Sequence, residues 1–152
     1  MRGLLAVLIG FLSFNTYAAD CFERAGRDYR IDPDLLRAIS WNESKGNIHA
    51  IGKNPDNSLD IGLMQINTQH EPELKKYGIT RHHLTADPCM NIYTGAYYLA
   101  IAFRHWGVNW DAVGAYNAGF AKNIKQDKRR KHYARKIYAT YRAIKAQKKA
   151  AH

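Results

Sequence analysis

The stretch Asp32-Pro33-Asp34-Leu35-Leu36-Arg37-Ala38-Ile39-Ser40-Trp41-Asn42-Glu43 is followed, after a polar interval, by Ser58-Leu59-Asp60-Ile61-Gly62-Leu63-Met64-Gln65-Ile66-Asn67. Asp32 is a good N-cap and Pro33 suits the first helical position, so the pattern predicts a helix over 33–44 that stops near Gly46. Leu35, Leu36, Ile39 and Glu43 share one apolar stripe, which sets a carboxyl on the face that seeks the core. Between residues 50 and 67 the composition changes to Gly52, Asn54-Pro55-Asp56-Asn57 and Gly62, set among short apolar pieces. That suits a small, irregular antiparallel sheet or hairpin.

Outward from this stretch the chain reads as helical. A first helix is expected over 21–29, with Phe22, Ala25 and Tyr29 on one face, and a short one over 68–77 that ends at Gly78. Asp87-Pro88 repeats the cap-then-proline signal and opens a long helix. Cys89, Ile92, Ala96, Leu99, Ala102, Phe103 and Trp106 keep its period, and Gly107 closes it. Gly95, Ala96, Ala100 and Ala102 are small enough to admit a neighbouring helix. Asn109 caps a helix over 110–116, and a last helix over 128–148 carries Tyr133, Ile137, Tyr138, Tyr141 and Ile144 on one stripe. There is no internal repeat and no linker. The expected class is α+β, mostly helical, in one domain.

The ends of the chain bound its setting. Arg2, an apolar run from Gly3 to Phe14 and Thr16-Tyr17-Ala18 read as a secretory leader over residues 1–18, cut after Ala18. The run is too short to span a bilayer, and no second one follows, so no stable membrane insertion is expected. About 134 residues remain in the expected mature domain, 19–152, enough for one core. Cys21 and Cys89 lie beyond the cut, and in an oxidising compartment they read as one disulfide, with two free thiols as the alternative. Closing that loop is worth roughly 4 kcal/mol on the chain-entropy account. No HExxH or CxxC occurs, and neither a metal nor a cofactor is expected.

Charge is segregated. Residues 122–149 hold twelve Lys and Arg against one acid, Asp127, whereas residues 19–121 hold ten basic and twelve acidic side chains. The net charge of +10 therefore belongs to the tail. Such a block reads either as a solvated helix face or as attraction to an anionic surface such as a wall, a membrane face or an acidic partner. Nucleic acid fits poorly, since no nucleic-acid motif accompanies the charge.

Three blocks could carry chemistry. Burial disfavours the charged form of Glu43, and a carboxylic acid still protonated near neutral pH is the general acid that glycosidic cleavage requires. Glu43-Ser44, Asp60-Ile61-Gly62-Leu63-Met64-Gln65-Ile66-Asn67 and Ala115-Tyr116-Asn117-Ala118-Gly119 resemble, in order and spacing, the signature blocks of the lytic transglycosylases of the soluble-lytic, goose-lysozyme-like superfamily. With the leader and two cysteines, the chain looks most like the specialised members that accompany type III secretion, type IV pili and conjugation machines.

The resemblance implies a lysozyme-like fold, a monomer, peptidoglycan as substrate, and a trans-envelope secretion or pilus component as partner, in the periplasm. It implies cleavage between N-acetylmuramic acid and N-acetylglucosamine with a 1,6-anhydro product, Glu43 acting first as acid and then as base. Asp60 is either a second carboxylate facing Glu43, which would make a hydrolytic lysozyme credible, or a turn residue bonded to its own loop. Gln65 and Asn117 match family positions lining the cleft, with a structural role as the alternative for each amide; Tyr133 matches a tyrosine that bonds the glutamate, with a plain core position as its alternative. Met64 and Tyr116 read as cleft walls, because sugar faces pack against apolar and aromatic surface. A non-catalytic wall-binding scaffold is the reading from a different class.

Overall fold

The structure, a computed structural model, describes residues 12–152. The first eleven residues of the expected leader lie outside the described residues. Helix α1 spans Leu12–Tyr29 and so begins well before Cys21. No glycine or proline interrupts it between Leu12 and Ala25, so nothing local stops the helix at the expected cleavage point. Helix α2, Pro33–Ser44, starts as the sequence predicts: the Asp32 side chain accepts from the Asp34 N–H at 2.9 Å. It ends where Lys45 turns left-handed.

Three short strands follow, β1 (Ile51–Lys53), β2 (Leu59–Ile61) and β3 (Ile66–Asn67), antiparallel in the order β1-β2-β3. The register sets Gly52 and Asn67 opposite Asp60 on either side. The expected helix over 68–77 is instead broken into a tight turn at Thr68–His70, helix α3 at Glu71–Leu74 and a second tight turn at Lys75–Tyr77. Pro72 lacks the N–H that a continuous helix would need at that point. Helix α4, Arg81–Ala86, was not expected. Its cap is Thr80, whose N–H donates to Nδ1 of His83 at 3.1 Å, a histidine in the position usually held by Glu or Gln.

Helix α5, Pro88–Trp106, runs through the centre, with Ile92, Ala96 and Leu99 fully buried. The Cys21–Cys89 disulfide ties α1 to its first turn, with the Cα atoms 5.5 Å apart. Helix α6, Trp110–Ala118, and helix α7, Ile124–Ala150, complete the fold. Helix α7 starts one turn before the expected 128, because the Asn123 side chain accepts from the Gln126 N–H at 2.9 Å. The small residues of α5 admit something other than a helix. A Cβ on Gly95 would sit 2.7 Å from the Met64 side chain, so the turn after β2 plugs into α5 there. The close helix pair is α6 against α7, where a Cβ on Gly114 would collide with the Arg130 backbone.

Part of the basic tail is used inside the fold. Asp34, with 4% of its side chain exposed, meets Lys145 at 2.9 Å, Lys148 at 2.6 Å and Arg37 at 2.8 Å, while Asp32 meets Lys145 and the Tyr141 hydroxyl. These contacts clamp the C-terminal half of α7 to the start of α2. Burial pushes the Asp34 carboxyl up, but the bonds from Lys148, Lys145 and Arg37 outweigh it and hold it down at about 2. A depressed native pKa gives stability that is complete above the unfolded value and lost as pH falls through the native one. The clamp is therefore expected to contribute about 2 kcal/mol above pH 4, lost between about pH 4 and pH 2. Urea midpoints measured across that window should fall steeply for the native chain and less for Asp34→Asn. Parallel curves for the two proteins would show that the clamp contributes nothing.

Among the described residues, no helix is long and apolar enough to cross a membrane.

Candidate active site

Glu43 lies in the last turn of α2, half-buried, where the apolar stripe of that helix reaches the surface. Its neighbour Asn42 fixes the helix rotation by donating to Thr140 Oγ1 of α7 at 2.8 Å and to the Ala38 carbonyl at 2.9 Å. The Tyr133 hydroxyl, from the buried face of α7, donates to Glu43 Oε1 at 2.5 Å. Lys45, which could have made Glu43 an ordinary surface ion pair, lies over the Trp41 ring at 5.5 Å. Among the described residues no lysine or arginine forms an ion pair with Glu43.

These surroundings set its protonation. Burial pushes the Glu43 carboxyl above the ordinary carboxylate range; the Tyr133 bond pulls it back, the charge of Asp60 raises it further, and that of Lys136 lowers it. Burial and the nearby Glu43 charge together keep the Tyr133 phenol neutral. Tyr133 is thus a buried donor that holds the carboxyl in one orientation, and both sequence alternatives for it are met in the same side chain: core position and partner of Glu43.

A groove of about 770 Å³ opens between the sheet and α6. Glu43 lines it together with Asp60, Gln65, Tyr116 and Asn117, which the sequence singled out, and with Asn54, Asn67, His70 and Tyr98, which it did not. Asp60 projects from β2, and both of its oxygens are engaged: Asn67 donates to Oδ1 at 2.9 Å and Asn54 to Oδ2 at 3.0 Å. Its charge reaches Glu43, while its oxygens organise two groove amides. His70 stacks on Tyr98 at 4.0 Å and forms an aromatic wall suited to a sugar face.

The other sequence-chosen residues divide. Asn117 is exposed at the groove edge. Gln65, in a left-handed conformation (φ 50°), turns its amide back to donate to the Gly62 carbonyl at 2.9 Å and the Ala50 carbonyl at 3.2 Å. It shapes the sheet as much as it faces the groove. The Tyr116 hydroxyl donates to the Met64 carbonyl at 2.7 Å, so this wall residue also ties α6 to the turn after β2. Met64 itself corrects the expectation of a cleft wall: its side chain has no exposure and fills the notch at Gly95. A flexible thioether suits a gap left by a missing side chain, and that packing takes it out of the groove.

One residue without a sequence signal supports the whole arrangement. Asn91, buried in α5, accepts from the Met64 N–H at 2.8 Å and donates to the Ile61 and Leu84 carbonyls at 2.8 and 3.0 Å. It locks the turn that carries Gly62, Met64 and Gln65. An asparagine within an otherwise apolar helix pattern was the only trace of it.

Two substitutions test the local electrostatics with opposite signs. Tyr133→Phe removes a donor that favours the ionised carboxyl, so Glu43 should keep its proton to higher pH. If the acid form is the active one, the falling limb of kcat/KM moves upward in pH, with a rate loss of roughly tenfold or more from lost positioning. Asp60→Asn removes a negative charge and should move the same limb downward. Profiles unmoved in both variants would rule out Glu43 as the group that limb reports.

Comparison with known proteins places these features in context. Residues 20–139 match the family model described as the transglycosylase SLT domain. The chain is 59% identical over 147 residues to the X polypeptide of Escherichia coli (strain K12), covering 97% of this chain and 87% of that protein. It is 43% identical over 145 residues to the invasion protein IagB of Salmonella typhimurium (strain SL1344), covering 95% and 89%. Among solved structures it is similar to an inactive mutant of the lytic transglycosylase Slt from Pseudomonas aeruginosa. That likeness has a TM-score of 0.63 at 22% identity over 87% of this chain, and the chain spans 24% of the length of Slt. The shared lysozyme-like fold agrees with the class expected from the sequence.

Proposed function

The chain belongs to the transglycosylase SLT domain family, and on that premise we propose that it is an exported enzyme that opens the cell wall locally for a trans-envelope machine. As a member of that family it is a peptidoglycan lytic transglycosylase. In this proposal Glu43 carries both proton transfers. Its carboxyl protonates the glycosidic oxygen as the bond to C1 of the muramyl residue breaks. The resulting carboxylate then takes the proton of the muramyl 6-hydroxyl as that oxygen bonds to C1. The products are a free sugar hydroxyl on one side and a 1,6-anhydromuramyl end on the other, with no water consumed.

The observation that carries this reading is the state of Glu43: groove-facing, half-buried, in no ion pair among the described residues, and held by Tyr133 at 2.5 Å. A wall-binding scaffold would need none of this. Asp60, with both oxygens bonded by Asn54 and Asn67, is better placed to raise and hold the charge of the site than to attack carbon. Export is supported by the sequence of residues 1–18, and the assembly role by the similarity to a protein named for invasion. Digestion of purified sacculi followed by mass spectrometry tests the activity. The expected fragments are one water lighter than hydrolytic ones. Fragments of hydrolytic mass alone would make the protein a lysozyme, and intact sacculi would return it to the scaffold class.

A further inference from the structure

The two cysteines of the Cys21–Cys89 disulfide differ in access. Cys21 has no exposure, whereas Cys89, in the first turn of α5, is half-buried and lines a hollow of about 560 Å³. The hollow lies between α1, α5 and residues 74–79, and it shares no lining residue with the groove that holds Glu43. Its walls are mainly apolar and aromatic: Leu74, Tyr77, Ile79, Met90, Tyr93 and Tyr97. Two of the rings are anchored by their hydroxyls, Tyr93 donating to Asp28 at 2.7 Å and Tyr97 to Glu73 at 3.0 Å.

A cation stands against both sulfurs. Nη2 of Arg24, which also lines the hollow, donates to Sγ of Cys21 at 3.2 Å and to Sγ of Cys89 at 3.3 Å, while its Nε meets Asp20 at 3.1 Å. A neutral disulfide gains little from a guanidinium, but a thiolate gains much. A neighbouring cation lowers the pKa of a thiol and makes its sulfur a better leaving group. A plain tether between α1 and α5 needs neither the cation nor an open approach to one sulfur.

We propose that this disulfide is a thiol-exchange site, opened at Cys89 by a thiol-bearing segment of a dithiol protein seated in the hollow. The incoming thiolate sulfur bonds to Sγ of Cys89 as the bond to Sγ of Cys21 breaks, and the electron pair leaves on Cys21 beside Arg24. The second thiol of the partner then attacks the partner's own bridging sulfur and releases Cys89. The disulfide of this chain is thereby reduced, the partner's dithiol is oxidised, and the two thiol protons pass to Cys21 and Cys89. The same steps in reverse close the bridge. The apolar lining selects a cysteine with apolar neighbours, and Arg24 supplies the charge that an entering thiolate matches.

Opening is followed with reduced glutathione at about pH 8, just below the ordinary thiol pKa, by acid quench, alkylation and peptide mapping. Glutathione is expected on Cys89 and the alkylating label on Cys21. Arg24→Gln should slow opening roughly fivefold and shift the equilibrium in a glutathione redox buffer toward the disulfide by about tenfold. Arg24→Lys keeps a cation and should stay within about twofold of the native protein in both. A merely structural role for Arg24 would leave the two variants alike.

Two acetylated, amidated tripeptides, Val-Cys-Phe and Gly-Cys-Gly, test the seat. Each rate is divided by the rate on oxidised glutathione, which cancels intrinsic thiol reactivity. The apolar peptide should be favoured about fivefold on the native protein and not on Tyr77→Ser, where the lost side chain is 65% exposed and outside the core. Four outcomes each overturn the proposal: glutathione mapped to Cys21, opening of Arg24→Gln as fast as the native protein or faster, a lysine variant as slow as the glutamine one, or equal normalised rates for the two peptides.

Discussion

Glu43→Gln is expected to lower the rate of anhydromuramyl product formation by at least about 10³-fold, with the fold intact. A positioned acid or base accounts for about 10² to 10⁴ in rate, and here one side chain serves in both steps. Glutamine has the same shape and can still accept from the Tyr133 hydroxyl, but it can neither give nor take the proton. The thermal transition should hold or rise slightly, because an uncharged amide replaces a carboxyl whose ionised form is disfavoured by burial. This pairing of outcomes separates chemistry from folding. Residual activity above about a tenth of wild type, measured by mass spectrometry of sacculus digests, would move the proton transfers to another residue.

The second large effect is expected at Asn91→Leu. Its side chain gives three hydrogen bonds to the backbone at Ile61, Met64 and Leu84 from a position with 1% exposure. A leucine supplies no donor or acceptor, and its branched end would press on Gly62, where the Asn91 amide already stands in the space a side chain would need. Each buried hydrogen bond contributes on the order of 1 kcal/mol, and stranding its partners costs more, so a loss of about 3–5 kcal/mol is expected. For a domain of this size that lowers the midpoint of thermal unfolding by roughly 10–20 °C. A midpoint within about 2 °C of wild type would mean that the turn is held without Asn91.

The contrast between these two residues shows what could be read in advance. Glu43 stood out because a carboxyl on an apolar stripe violates the pattern that surrounds it, and the blocks around Gly62 and Asn117 supplied its context. The helix starts at Pro33 and Pro88 were equally plain, since a capping aspartate followed by proline acts within a few residues. Asn91 was silent because its three partners come from other parts of the chain, and nothing in its own window asks for an amide. Met64 was misplaced for the same reason: whether an apolar side chain faces a groove or a core depends on the opposite surface, here a glycine on α5. The helix at Arg81–Ala86 was missed because His83 fills a capping position by a route that ordinary capping rules do not weight.

The basic tail divides along the same line. Its composition announced a surface charge, but Lys145 and Lys148 serve as internal clamps on Asp32 and Asp34, more than a hundred residues away in the chain. Lys128, Arg129 and Lys136 instead stand beside the candidate catalytic carboxyl.

By itself, then, the order of residues determined the helical class, the small sheet, the position of the acid and the separation of charge, because periodicity, caps and turn formers act over a few neighbours. The tertiary structure alone decided that Tyr133 reaches Glu43 at 2.5 Å, that Asp60 is held by two asparagines, and that one ridge of α7 borders the site. Those facts depend on where distant segments meet, and the energy of burying an acid is set by everything that closes around it.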